Sequence, residues 1–180
     1  KKSEINERFK SRLRGRLTAP RSIYENSLYD LVGMIEQQFE RGECPQVYES
    51  LLCIHRAQET SLLQQSGSVS PYERDIVQIS FQKGGSSVMA DAYLVKGNLD
   101  IRDAEFAFAF GVVLQLIDDL QDVKNDLKNG HMTVFSQSAA GWKLDNITNK
   151  LIGFLFKVLD TGEHYSSENH KQLINVIRNN

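Results

Sequence analysis

Four aspartates in one short segment, Asp118, Asp119, Asp122 and Asp126 of GVVLQLIDDLQDVKND (residues 111–126), are the side chains best suited to chemistry. At about 100° per residue, Gln115, Asp119, Asp122 and Asp126 fall together on one helix face with Asp118 on its flank. Phe106, Phe110, Val113, Leu114, Ile117, Leu120, Val123 and Leu127 face elsewhere. None of the four has a Lys or Arg three or four residues away, where a solvated helix face ordinarily mixes its signs. Like charges at that spacing cost roughly a few tenths of a kcal/mol per pair. Asp also suits a helix interior poorly, because its side chain competes for backbone hydrogen bonds. A hard cation such as Mg²⁺ would offset both penalties, since it takes oxygen ligands and completes its octahedron with water and substrate phosphates.

The plain alternative is a solvated acidic stripe. Against it stands the upstream half of the same stripe, where Ala104, Phe108 and Gly111 make the face small and apolar. A surface greasy at one end and metal-binding at the other suits an amphiphile with an apolar tail and an anionic head. An EF-hand is disfavoured, because its ligands alternate along a loop around a glycine. Gln58, Ser61 and Gln65 share a helix face at i, i+3 and i+7, which is either an outer polar face or a set of hydrogen-bonding groups turned inward. Lys83 precedes Gly84 and Gly85, each costing about 1 kcal/mol against Ala inside a helix. Close helix packing or a kink explains that pair. So does an approach to a cavity that aims Lys83 as a point charge at an anionic group. His55 lacks a second His or Cys at ligand spacing, which argues against a transition-metal site, and His131, His164 and His170 read as loop or surface residues.

Gly111, Gln115, Asp118, Asp119, Asp122 and Asp126, followed by Gly130 and Thr133, resemble the second aspartate-rich motif of the trans-isoprenyl diphosphate synthases and their squalene and phytoene synthase relatives. HRAQETSLLQQ, with Gln58, Ser61 and Gln65, and FQKGGSSVMAD, with Lys83, are similar to the bacterial class 1 isoprenoid biosynthesis branch of that superfamily. The resemblance spans roughly residues 45–137. It implies an all-α helical bundle of the isoprenoid synthase type with a central cavity, in which two acidic helices hold Mg²⁺ on the diphosphate of an allylic prenyl substrate. On that reading Asp118, Asp119, Asp122 and Asp126 bind Mg²⁺, the first three being catalytic, while Lys83, Gln115, Gln58 and Ser61 bind substrate. Superfamily relatives are often dimers, so the resemblance allows a homodimer without fixing the oligomeric state.

One departure matters. The family's first aspartate-rich motif is missing: upstream of Gln58 the acidic candidates are Asp30 and the pair Glu36 and Glu40, and none reads as DDxxD or DxxxD. A start at Lys-Lys-Ser without Met leads us to expect the C-terminal part of a longer synthase domain. The competing reading is a non-catalytic prenyl-lipid or diphosphate-binding protein, or a subunit completed by a partner.

These groups must be positioned by a single domain. The 180 residues, 41% hydrophobic and 24% charged, can bury a sizeable core. A net charge of −2 argues against general nucleic-acid binding. Cys44 and Cys53 are too few for a disulfide scaffold, and without a secretory apolar segment the cytoplasm is the expected compartment. Apolar periodicity predicts helices throughout. The first carries Ile5, Phe9, Leu13 and Leu17 up to Pro20. Others cover residues 22–41, ending at Gly42, and 46–65. A helix opened by a capping box of Ser70, Pro71 and Glu73 runs to Lys96. The acidic helix runs from 100–103 to Asn129 and Gly130, a loop follows through Gly141, and helices over 144–159 and 167–178 complete the chain. Arg8, Arg12 and Arg16 repeat at i+4 on the first helix, and residues 1–16 hold seven basic against two acidic side chains. That is a solvated basic face or a peripheral contact with an anionic membrane.

Overall fold

Helices in this chain begin and end where side chains and glycines satisfy the backbone groups that a helix terminus leaves open. In the computed structural model, which describes residues 2–65 and 74–162 together with Gln172, Asn175 and Val176, every regular element is helical. α1 (Lys2–Leu13) stops before Gly15, whose φ of +83° turns the chain back. α2 (Ile23–Gln38) is capped by Ser22, whose hydroxyl accepts from the Glu25 amide at 3.1 Å. α3 (Pro45–Ser61) has proline in its first turn and tightens into a 3₁₀ turn at Leu62–Gln65. α4 (Ile76–Lys96) and α5 (Ile101–Gln121) are capped by Asp75 and Asp100, which accept from the Gln78 and Asp103 amides at 2.9 and 2.8 Å. α6 (Val123–Asn129) ends at left-handed Gly130, and α7 (Val134–Ala139) and α8 (Asp145–Thr161) follow.

The sequence boundaries are corrected in several places. Leu17 is not part of the first helix or its apolar stripe: it lies beyond Gly15 and is 92% exposed. α2 stops at Gln38 rather than Arg41, because Tyr48 donates a 2.6 Å hydrogen bond to the Phe39 carbonyl and fixes the turn there. α4 begins under Asp75, while Ser70, Pro71 and Glu73 lie outside the described residues, as do His164, His170 and most of the helix expected over 167–178. The stretch read as a loop through Gly141 contains α7. Thr133 and Ser136 form a reciprocal capping box there, with bonds of 3.1 and 2.8 Å.

α4 and α5 lie side by side at the centre, α3 flanks α4, and α8 flanks α5, while α1 and α2 pack on the α3 side. Val112, Leu116, Phe135 and Leu151 form a core between α5, α7 and α8. Phe39, Val47 and Tyr48 form a second one towards α2 and α3. Close packing of α4 on α5 depends on glycine. A Cβ on Gly84 would fall on the Gly111 carbonyl oxygen and the Gln115 Cβ, and one on Gly85 would lie 2.5 Å from the Phe108 ring. The glycine pair is therefore explained by helix contact, and α4 runs through it without a break. Gly111 is correspondingly buried against α4, and Phe108 packs over Gly85 while staying partly exposed.

α1 is held by charge as well as by Leu13. Arg8 pairs with Glu25 at 2.9 Å, Lys10 with Glu59 at 2.6 Å, and Arg12 with Glu36. The basic face read from Arg8, Arg12 and Arg16 thus turns two of its three arginines into the fold, leaving Arg16 exposed. No helix among the described residues is long and apolar enough to cross a membrane.

Candidate functional site

The acidic segment does not form one uniform ridge. α5 ends at Gln121, and Asp122, with φ −87° and ψ 2°, is the joint with α6. Asp118 and Asp122 are exposed, whereas Asp119 and Asp126 are 5% and 8% exposed. Burial of a carboxylate demands partners, and the two buried ones have different partners. Gln115 donates to Asp119 Oδ1 at 2.8 Å across one helical turn, and the Ser80 hydroxyl on α4 donates to Oδ2 at 3.0 Å. Gln64 in the 3₁₀ turn in turn donates to Ser80 Oγ at 3.3 Å. Asp126 faces the turn that follows α6: His131 Nδ1 is 3.3 Å from Oδ1, and the Thr133 hydroxyl lies 3.5 Å from Oδ2.

Burial raises the Asp119 carboxyl above its ordinary pKa. Hydrogen bonds from Gln115 and Ser80 and the charge of Lys83 oppose that rise, and the charge of Asp126 adds to it. The sign for stability follows from linkage. The folded state holds this proton more tightly than the unfolded one, so stability falls as pH rises from the unfolded Asp value of about 3.9 through the higher folded value. Asp119→Asn is expected to melt above the parent at pH 7, with the gain disappearing below about pH 3.9. Thermal melts of both proteins across that range test it, and a variant that melts lower at pH 7 would mean that the carboxylate's hydrogen bonds outweigh its burial.

Beside this chain of hydrogen bonds lies a cavity of about 430 Å³ between α1, α2, α3 and α4. Its polar lining includes Gln58, Ser61, Gln64, Gln65, Lys83 and His131, and its apolar lining includes Ile5, Phe9, Leu28 and Leu62. Lys83, Gln58 and Ser61, which the sequence suggested separately, therefore share one space, and Gln64 and Ser80 connect that space to Asp119 and Gln115. The Ser61 hydroxyl donates to the Gln58 carbonyl at 2.8 Å, so towards a ligand it is free to act as an acceptor. Lys83 is half-buried and makes no ion pair among the described residues. Asp118 and Asp122 do not line the cavity. No group of three or more His, Cys, Asp or Glu side chains among the described residues is placed to hold a metal ion.

His131 lies in a loop, as its sequence context suggested, and there it also lines the cavity. It follows the left-handed Gly130 cap, and its amide donates to the Asp126 carbonyl at 2.9 Å. The next amide, Met132, reaches the Gln64 carbonyl at 2.9 Å and ties this turn to the cavity wall. The one available signal was its position one residue after a helix-stopping glycine that follows an aspartate-rich helix. His55 also lines the cavity, edge-on to Phe9 with ring centroids 5.4 Å apart, and its Nε2 is buried without a hydrogen-bond partner among the described residues. Of the upstream acidic candidates, Glu36 is engaged by Arg12 and Arg41, Asp30 accepts from Asn26 at 2.9 Å, and Glu40 is exposed.

No family model, curated protein or solved structure matches this chain.

Proposed function

We propose that the chain is an isoprenoid synthase-type protein acting with Mg²⁺ on an allylic prenyl diphosphate, by prenyl transfer, condensation or cyclisation. The observation that carries this reading is the convergence of Lys83, Gln58 and Ser61 on one cavity of mixed lining, polar at Gln64, Gln65 and His131 and apolar at Ile5, Phe9, Leu28 and Leu62, which Gln64 and Ser80 link to the Asp119 carboxylate. A cation and side-chain amides suit a diphosphate, and Ser61 would serve it as a donor only by giving up its bond to the Gln58 carbonyl; Ile5, Phe9, Leu28 and Leu62 suit the start of a prenyl chain. Lys83 would neutralise a diphosphate oxygen, Gln58 would donate to another, and Gln115 and Ser80 would hold Asp119 in one orientation.

The donor set is oxygen-rich and therefore of the kind Mg²⁺ takes, but it is not a closed cage. Mg²⁺ is commonly bound through one or two carboxylates with the rest of its shell from water and substrate phosphate. The exposed Asp118 and Asp122 would take an ion that arrives with the diphosphate rather than a resident one, and the buried Asp119, held by Gln115 and Ser80, would offer it a carboxylate only by exchanging one of those bonds. When bound, it would supply positive charge to a departing diphosphate.

A second reading, a non-catalytic prenyl-diphosphate binder or a subunit completed by a partner, is favoured by the fate of Glu36. Its carboxylate is held by two arginines and cannot serve as the opposing acidic face.

Thermal melts with Mg²⁺ alone, farnesyl diphosphate alone, and both test the shared part of these readings. A rise that needs both is expected. At a ligand concentration one hundred times Kd it amounts to about 2.7 kcal/mol. Asp122→Asn should abolish it and leave the unliganded melt unchanged or slightly higher, since Asp122 is exposed and loses like-charge repulsion. No rise in any condition would overturn both readings. A rise without release of diphosphate would select the binder.

A further inference from the structure

We infer that a second ligand site, for a single-chain amphiphile with an anionic head, lies on the opposite flank, between α4, α7 and α8. Here an apolar cleft of about 200 Å³ is open at the edge of the main core, lined by Phe81, Phe135, Leu151 and Phe154 together with Val77, which is 45% exposed. Among the described residues Lys150 is the one polar residue that lines it. An open apolar cleft of this kind gains free energy when hydrocarbon displaces the water lying against it.

The cleft borders a groove of about 570 Å³ that shares Ile147 and Lys150 with it and adds Ser138, Trp142, Lys143 and Asn146. Among the described residues no acidic side chain lines either space. Apolar depth, two lysines at the mouth and an exposed tryptophan beside them match a hydrocarbon tail followed by a negatively charged head. A neutral amphiphile leaves the lysines without a partner. A larger or two-chain lipid exceeds the cleft. Carboxylate and phosphate heads share this chemistry, and the site accepts either. The inference does not depend on the reading of the acidic cavity, since none of that cavity's lining residues is used here.

Trp142 is the chain's single tryptophan and is 81% exposed, so its fluorescence reports on the groove directly. The full chain would be titrated with dodecanoate, dodecyl phosphate and dodecanol below their micellar concentrations, and with phosphatidylglycerol vesicles. A saturable blue shift with dodecanoate, dodecyl phosphate or both, and a weaker one with dodecanol, is expected; which anion binds identifies the head. Val77→Phe fills the cleft from an exposed position and should abolish the shift, with an unchanged circular-dichroism melt showing that the fold survives. Lys150→Gln removes one head contact at the surface and should weaken half-saturation about fivefold. A shift seen only with vesicles would assign the face to a membrane surface and overturn the site. So would no shift with any probe, or a shift undiminished in both variants.

Discussion

Gly84→Ala is expected to destabilise the protein by about 2 kcal/mol and lower its melting temperature by roughly 4–8 °C. Inside a helix this substitution ordinarily stabilises by up to about 1 kcal/mol, because alanine restricts the unfolded chain. Here the new methyl group meets the Gly111 carbonyl oxygen and the Gln115 Cβ, the first of them backbone of a packed helix that cannot rotate away. Overpacking of that kind costs about 1–3 kcal/mol, and an obstruction by backbone belongs at the upper end. Gly33 provides the control. It also sits within a helix, α2, and a Cβ there would meet nothing within 4 Å, so Gly33→Ala should raise stability by about 0.5–1 kcal/mol. Urea unfolding of the two variants would show opposite signs. Equal signs would mean that α4 and α5 do not approach at Gly84. The damage should extend to the site, because separating the helices lengthens the 3.0 Å bond from Ser80 to Asp119.

That contact also marks where sequence reasoning stopped. A glycine pair inside a helical pattern says that something comes close, and the choice between a neighbouring helix and a ligand lies in residues far away along the chain. The partner, Gly111, was visible in the sequence, but only as part of the acidic stripe. The same limit applies to Arg8 and Arg12. Their periodicity on α1 is local and legible, whereas their partners Glu25 and Glu36 come from the next helix and depend on the turn at Gly15. Helix existence was legible almost throughout, because apolar spacing along α3, α4, α5 and α8 is dictated by neighbours on one face. Helix ends were less so. Gly42 was a plausible stop, but the Tyr48 hydroxyl ends α2 earlier from a position that no local pattern indicates. α7 has six residues, too few for periodicity, yet Thr133 and Ser136 stood at capping-box spacing and could have revealed it.

The candidate site was half legible for the same reason. Lys83, Gln58 and Ser61 were recognisable as polar groups in unusual contexts, and their convergence is a tertiary fact. The split of the four aspartates into exposed and buried pairs was hidden, because it depends on Ser80 of α4 and on the turn carrying His131 and Thr133. A helical wheel treats Asp119 and Asp122 as equivalent neighbours; hydrogen-bond supply separates them.

Glu36→Ala is expected to cost about 2–3 kcal/mol, which lowers the melting temperature by roughly 4–12 °C. Glu36 accepts from Arg12 Nη1 at 2.6 Å and from Arg41 Nε and Nη2 at 2.9 and 2.8 Å. Arg41 also donates to the Leu13 carbonyl at 2.6 Å and lies 3.8 Å above the Tyr48 ring, so one carboxylate joins the end of α1 to α2 and α3. Removing a partner from a buried pair costs about 3–5 kcal/mol, because the remaining charge stays desolvated. The Arg12 side chain is 10% exposed and fits that case, while Glu36 at 29% is partly screened and brings the figure down. The pH profile identifies the cause. The Arg12 hydrogen bonds, with those of Arg41, hold the Glu36 carboxyl at about 2 against the opposing effect of burial. A depressed folded pKa stabilises above the unfolded glutamate value of about 4.3, and that contribution is lost as pH falls towards about 2. The gap in melting temperature between parent and Glu36→Gln, which keeps the side-chain length, should therefore be full at pH 6 and shrink steadily below pH 4. A gap that stays constant to pH 2.5 would assign the loss to packing and not to the charge at the α1–α2 junction.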